Sequence, residues 1–164
     1  MHPNAGLLER FYEGISRRQP QVVADCYEPA ATFYDIAFDL HGKREILAMW
    51  EMICSREITV FFDIVSVGDT EGVVRAVDKY NFSVTGRPVN NVMESRFRFK
   101  DGLIAQQVDS CDARVWAKQA LGEVLGFLPG RLRFLRALTA RHLLRPYLRH
   151  PDSQNQASRP SNCQ

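Results

Sequence analysis

At Ile58 the apolar pattern of this chain changes period. Upstream, apolar residues recur every three or four positions; downstream they alternate, through ITVFFDIVSV, GVVRAVDKYNFSV, VNNVMESRFRF and LIAQQVDSCD. Gly68-Asp69, Thr85-Gly86-Arg87-Pro88 and Lys100-Asp101-Gly102 separate these runs, and each carries turn chemistry. Four strands joined by such short turns pair with their sequence neighbours, which makes an antiparallel meander. Helices that precede a meander instead of alternating with its strands give an α+β domain, with the helices gathered on one face of a curved sheet.

The upstream elements fit that plan. Leu7, Leu8, Phe11, Tyr12 and Ile15 lie opposite Glu9, Arg10 and Glu13, so the spacing predicts an amphipathic helix from Asn4 to Arg17. Pro20 suits the first turn of a second, shorter helix with Val22, Val23, Cys26 and Tyr27 as its stripe, stopped by Pro29. ATFYDIAF, residues 31–38, reads as a strand; a loop through Asp39 and Gly42 leads to a third helix, KREILAMWEMICS. After the meander a helix is expected from Ala113 to Gly126, with Val115, Trp116, Ala120 and Leu121 inward. RLRFLRALTARHLLRPYLRH then mixes leucine with arginine and contains no acid, and the polar PDSQNQASRPSNCQ cannot repay the entropy of ordering. The resulting organisation is one domain over 1–126, a basic amphipathic helix over 127–150 and a disordered tail over 151–164.

Composition narrows the function classes. A chain of 164 residues, 45% hydrophobic, can bury one sizeable core, and a net charge of +2 is too small for a whole-protein nucleic-acid footprint. Cys26, Cys54, Cys111 and Cys163 are widely separated, which indicates neither a disulfide frame nor a zinc site. No secretion signal or membrane-length apolar run is visible, so a cytoplasmic location is expected. A Gly-rich phosphate cradle, a nucleophile elbow and an HExxH pair are all lacking, which argues against nucleotide, acyl-enzyme and metal mechanisms.

The unusual polar groups are the acids among apolar neighbours. Side chains alternate across a strand, so Asp78 shares a face with Val74, Ala76, Tyr80, Phe82 and Val84. By the same parity Asn91 and Ser95 look inward with Met93 and Phe97, and Asp109 shares a face with Leu103, Ala105 and Cys111 unless a bulge intervenes. Asp35 sits among Phe33, Tyr34, Ile36 and Phe38. Three carboxylates aimed at one hollow, each disfavoured as a charge by burial and by its neighbours, can exchange protons near neutral pH. Each has a plainer reading. Asp35 suits a strand end bonded to backbone amides; Asp78, under a shifted register, is a surface charge beside Arg75 and Lys79; Asp109 or Asp112 can cap the following helix, and Asp112 fits that role better.

Taken in order, LLERFYEGI, CYEPAATFYDIAF, DLHGKREILAMW, TGRPVNNVMESRFRFKDGLI and VDSCDARVWAKQALG resemble the SnoaL-like and ketosteroid-isomerase-like branch of the NTF2-like superfamily, over Leu7 to Gly122. The resemblance implies a curved mixed sheet wrapped around N-terminal helices, a cone-shaped pocket, hydrophobic ring substrates, a homodimer and no cofactor. Asp35 resembles the general base of the ketosteroid isomerases, while their oxyanion tyrosine falls on Phe11, with Tyr12 one residue out of phase, and their protonated acid near Ser95. Limonene-epoxide-hydrolase-like enzymes would place their acids at Asp109 and Asp78 and their tyrosine at Tyr34, with Ala76 where they carry arginine and Ile36 where they carry asparagine. SnoaL-like polyketide cyclases need one aspartate in the last strand, and Asp109 resembles it.

The expectation is therefore a cofactor-independent acid/base enzyme for a hydrophobic carbonyl or cyclic compound, with Asp109 and Asp35 as exchangers and Asp78 nearby. Tyr12, Tyr34, Trp50, Tyr80, Phe82, Asn91, Met93, Ser95 and Phe97 are its expected substrate contacts. The alternatives are an epoxide hydrolase and a non-catalytic module that binds a hydrophobic ligand or a protein. For the basic segment, packing within the protein or a dimer stands against peripheral contact with an anionic membrane.

Overall fold

The computed structural model describes residues 2–122 and 142–148. Two helices, α1 (Pro3–Ser16) and α2 (Pro20–Ala24), lead into β1 (Tyr27–Tyr34) and the short β2 (Asp39–His41). Then come α3 (Lys43–Cys54), the meander β3 (Ile58–Val67), β4 (Glu71–Asn81), β5 (Pro88–Lys100) and β6 (Leu103–Cys111), and α4 (Ala113–Leu121). The six strands form one sheet in the order β2-β1-β6-β5-β4-β3, antiparallel throughout except where β1 runs parallel to β6. The expected α+β architecture, a curved mixed sheet with its helices on one face and an extra helix after β6, is the observed one.

Helix α1 is pinned at its start and buried along its stripe. The His2 ring accepts from Asn4 N, and Asn4 Nδ2 donates to Gly68 O at 2.9 Å and Asp69 O at 3.0 Å, tying the helix to the β3–β4 turn. Leu8, Phe11 and Ile15 then share one core with Val74 and Phe97 of the sheet and Met49 of α3. Apolar burial of this kind contributes about 1.5–3 kcal/mol per large side chain.

Four boundaries differ from the sequence reading, each for a local reason. Helix α2 ends at Ala24, and Pro29 lies within β1, not after a helix. Register with β6 slips between Tyr27 and Thr32, and a residue without N–H is tolerated at such an irregularity. Residues 39–41 form β2, paired to β1 through Phe33 and Leu40, where a loop is expected from their polarity. Strand β4 stops at Asn81, so Phe82, Ser83 and Val84 belong to the turn that follows. In β6 the register with β5 shifts between Arg98 and Phe99, leaving Ala105 as the extra residue. Ile104 therefore points inward in place of Leu103 and Ala105, while Asp109, beyond the bulge, keeps its inward side.

At the C-terminal end, Asp112 caps α4, accepting from Arg114 N at 2.8 Å and Val115 N at 3.1 Å. The expected continuation of this helix to Gly126 lies outside the described residues, as do most of the expected basic helix over 127–150 and the whole tail over 151–164. Residues 142–148 are helical. Leu144 is only 3% exposed and packs with Tyr147 and Leu148 on the main core, Arg44 donates to Leu148 O, and Ser55 meets the Tyr147 hydroxyl at 3.2 Å. Among the described residues no helix is long and apolar enough to cross a membrane.

Candidate active site

Between the helices and the concave face of the sheet lies a cavity of about 610 Å³. Its wall is mostly apolar, with Phe11, Phe33, Trp50, Ile58, Phe82 and Met93 among its residues, and Leu143 of the C-terminal segment reaches it. Into this wall the strands insert Asp35, Asp78 and Asp109 together with Asn91, Ser95 and Gln107.

Asp109 stands at the centre of the polar set. It is 8% exposed on β6, opposite Ser95 on β5. Gln107, two residues earlier on the same face, donates from Nε2 to Asp109 Oδ1 at 2.9 Å and Oδ2 at 3.0 Å. Behind Gln107, its Oε1 accepts from the Tyr27 hydroxyl, which in turn accepts from Trp50 Nε1 at 3.3 Å. Burial pushes the Asp109 carboxyl up to about 7; the amide of Gln107 and the hydroxyl of Ser95 moderate the rise, and the charges of Asp35 and Asp78 add to it. The carboxyl is thus both desolvated and well held.

Asp35 occupies the turn that follows β1. Its Oδ1 accepts from Ala37 N at 2.7 Å and Phe38 N at 2.5 Å, so the strand-end reading holds, and the same residue lines the cavity. Parallel register between Tyr34 and Val108 sets Asp35 beside Asp109 on the neighbouring strand. Asp78 enters from β4, opposite Asn91, and burial alone pushes it up to about 7. It faces the cavity, not the surface beside Arg75 and Lys79.

Tyr12 and Ser95 form a second polar arm. Their hydroxyl oxygens are fully buried and lack a hydrogen bond of ordinary geometry, yet Ser95 lies near enough to both Tyr12 and Asp109 to moderate the upward shift of each. Burial, then the charge of Asp109, holds Tyr12 well above the ordinary tyrosine range, so it keeps its proton. At the α4 side, Trp116 Nε1 donates to the Tyr80 hydroxyl at 2.8 Å, and burial pushes Tyr80 up to about 12.

Of the residues expected from sequence, Asp35, Asp78, Asp109, Tyr12, Trp50, Tyr80, Phe82, Asn91, Met93 and Ser95 line one cavity. Two do not. Tyr34 is 43% exposed, because β1 turns Phe33 inward and its neighbour outward, and Phe97 is buried in the core against Phe11 and Phe99. Gln107, Tyr27 and Trp116 were not anticipated. Strand parity with Asp109 is signal enough for Gln107, whereas nothing in the sequence joins Tyr27 to a residue 80 positions away.

The sequence model of the SnoaL-like domain family matches residues 8–107. Among solved structures, an NTF2-like protein of unknown function from Burkholderia pseudomallei is similar with a TM-score of 0.65 at 19% identity, over 74% of this chain and 99% of the other. A candidate polyketide cyclase from a Silicibacter species superposes with a TM-score of 0.62 at 15% identity, over 71% and 93% of the two chains. The candidate polyketide cyclase IdmH of Streptomyces antibioticus gives 0.59 at 22% identity, over 72% and 98%. These likenesses show the fold. A search of curated proteins finds no match.

Proposed function

The chain belongs to the SnoaL-like domain family, and from that premise we propose that it is a cofactor-independent acid/base enzyme acting on a hydrophobic carbonyl or cyclic compound, of the cyclase or isomerase type. The observation that carries this reading is Asp109: a carboxyl raised to about 7, inside a 610 Å³ apolar cavity, with both oxygens held by one amide. A general base works best when its pKa lies near the working pH, since both protonation states are then populated. In the ionised form Asp109 takes a proton from carbon next to the substrate carbonyl. The electrons delocalise into the carbonyl system, and the protonated Asp109 returns the hydrogen at another carbon or lets that carbon close a ring.

The other residues take supporting parts. Trp50, Phe82 and Met93 supply apolar surface for a ring, and the Asn91 amide orients a polar substituent. Asp35, tied to its own turn, acts on Asp109 through its charge, so Asp109 takes the larger share of the exchange expected of the two.

Deuterium exchange tests this without knowledge of the natural product. Cyclic 1,3-diketones and β,γ-unsaturated cyclic ketones in heavy water should show enzyme-dependent loss of carbon-bound hydrogen by NMR, reduced about 10²- to 10⁴-fold by Asp109→Asn. Equal exchange with wild type and variant would reject the reading.

Asp78 favours a second reading. Two carboxyls near 7 in one cavity suit opening of a cyclic epoxide, one activating water and the other protonating the ring oxygen. Ala76, however, stands where limonene-epoxide-hydrolase-like enzymes carry an arginine. Hydrolysis of a cyclic epoxide that requires both Asp78 and Asp109 would support it.

A further inference from the structure

The hydrogen-bond chain behind Asp109 has a direction, fixed by which groups can donate. Trp50 Nε1–H is a donor only. Its acceptor is the Tyr27 hydroxyl oxygen, so the single Tyr27 hydrogen goes elsewhere, to Gln107 Oε1. With that oxygen engaged, the Gln107 amide presents N–H on its other side, where Nε2 meets both oxygens of Asp109. Tyr27 and Gln107 are each 1% exposed, so bulk water does not compete for these bonds. Were the amide turned over, its carbonyl oxygen would face Asp109, and only a protonated carboxyl could bond to it.

We infer that Tyr27 is a positioning residue: it locks Gln107 in the one orientation that offers hydrogen to Asp109 and so makes Asp109 the proton acceptor of the unliganded site. The inference rests on the acid/base reading above and adds what keeps the base a base. Groups on the surrounding elements act on the same carboxyl. The Ser95 hydroxyl on β5 supports the charge, as Gln107 does; Asp35 after β1 and Asp78 on β4 oppose it, and Tyr12 on α1 stays neutral. Burial opposes the charge most strongly, and the donors that converge on Asp109 offset part of that opposition.

The test is the titration of the Asp109 carboxyl, followed by NMR in protein carrying ¹³C-aspartate and assigned with Asp109→Asn. Tyr27→Phe keeps the ring that packs edge-on against Phe11 and removes only the hydroxyl. Gln107→Met keeps length and removes the amide. In Tyr27→Phe the Asp109 midpoint should rise by about one unit, the worth of one charge-assisted hydrogen bond. Gln107→Met should raise it at least as far, and Tyr27→Phe should then add nothing on the Gln107→Met background. Trp50→Phe should raise it by less, in the same direction. An unmoved or lowered midpoint in Tyr27→Phe overturns the inference, and so does a Tyr27→Phe shift of full size when Gln107 is already methionine. If Tyr27→Phe does not fold, Trp50→Phe decides in the same sense, an unmoved midpoint overturning it. Midpoints that move as expected, in a protein whose wild type exchanges no ketone hydrogen, would uphold the positioning and reject the enzymatic reading.

Discussion

Burial in an apolar cavity sets Asp109 and Asp78 apart from the surface acids of the same chain. Asp25, exposed and paired with Lys43 at 2.8 Å, is lowered chiefly by that contact, whereas burial raises the two cavity acids from 3.8 to about 7. A carboxyl raised in the folded state binds its proton more tightly there than in the unfolded chain. Its penalty on folding is absent below the unfolded value and complete above the folded one. Stability should therefore fall as pH rises from about 4 to about 7, by up to roughly 4 kcal/mol for each group. Urea unfolding across that range measures it, and Asp109→Asn or Asp78→Asn should flatten the dependence. A profile equally steep in the variants would show that these acids are not its source. At this scale the sequence was informative: acids flanked by apolar residues at even spacing stood out. Asp35 was legible only as two readings at once, since a pattern of hydrophobicity cannot see which amide hydrogens a carboxylate accepts.

At the level of elements, the strands of the meander were readable because β4 and β5 pair without interruption over the residues that reach the cavity. Asp109 reaches the cavity although the β6 bulge at Ala105 breaks the parity it was expected to share with Leu103: Ile104, Gln107 and Asp109 face inward, while Leu103 and Ala105 do not. Strand β2 escaped notice since three residues with two polar ends carry no periodic signal. The helix that closes the other side of the cavity offers an independent check. Asp112 was expected as its cap and is observed as such. Asp112→Ala should cost about 1 kcal/mol in unfolding free energy while leaving the Asp109 midpoint in place. A shift in that midpoint would mean that α4 and the site are more tightly coupled than their separate contacts imply.

For the whole molecule, the order of helices and strands fixed the fold, and the family resemblance read from five short motifs agrees with the matched family. Less legible was everything that depends on contact between distant segments: the Trp50, Tyr27 and Gln107 chain, and the return of residues 142–148 onto the core. The leucines of that segment looked equally suited to a membrane, a partner or the protein itself. In the structure Leu144 is buried in the main core and Leu143 lines the cavity. A chain ending at Gly130 should lose about 2 to 4 kcal/mol of stability from this lost apolar burial, read by urea unfolding, and should release a hydrophobic ligand faster. Unchanged stability would mean that the segment packs too weakly to matter. The proposed chemistry depends on one carboxyl kept from water inside the cone, and its titration is the most direct measurement of that. The Asp109 side-chain ¹³C resonance of the ligand-free wild-type protein should titrate with a midpoint of about 7; a midpoint of about 4, the ordinary aspartate value, would contradict it.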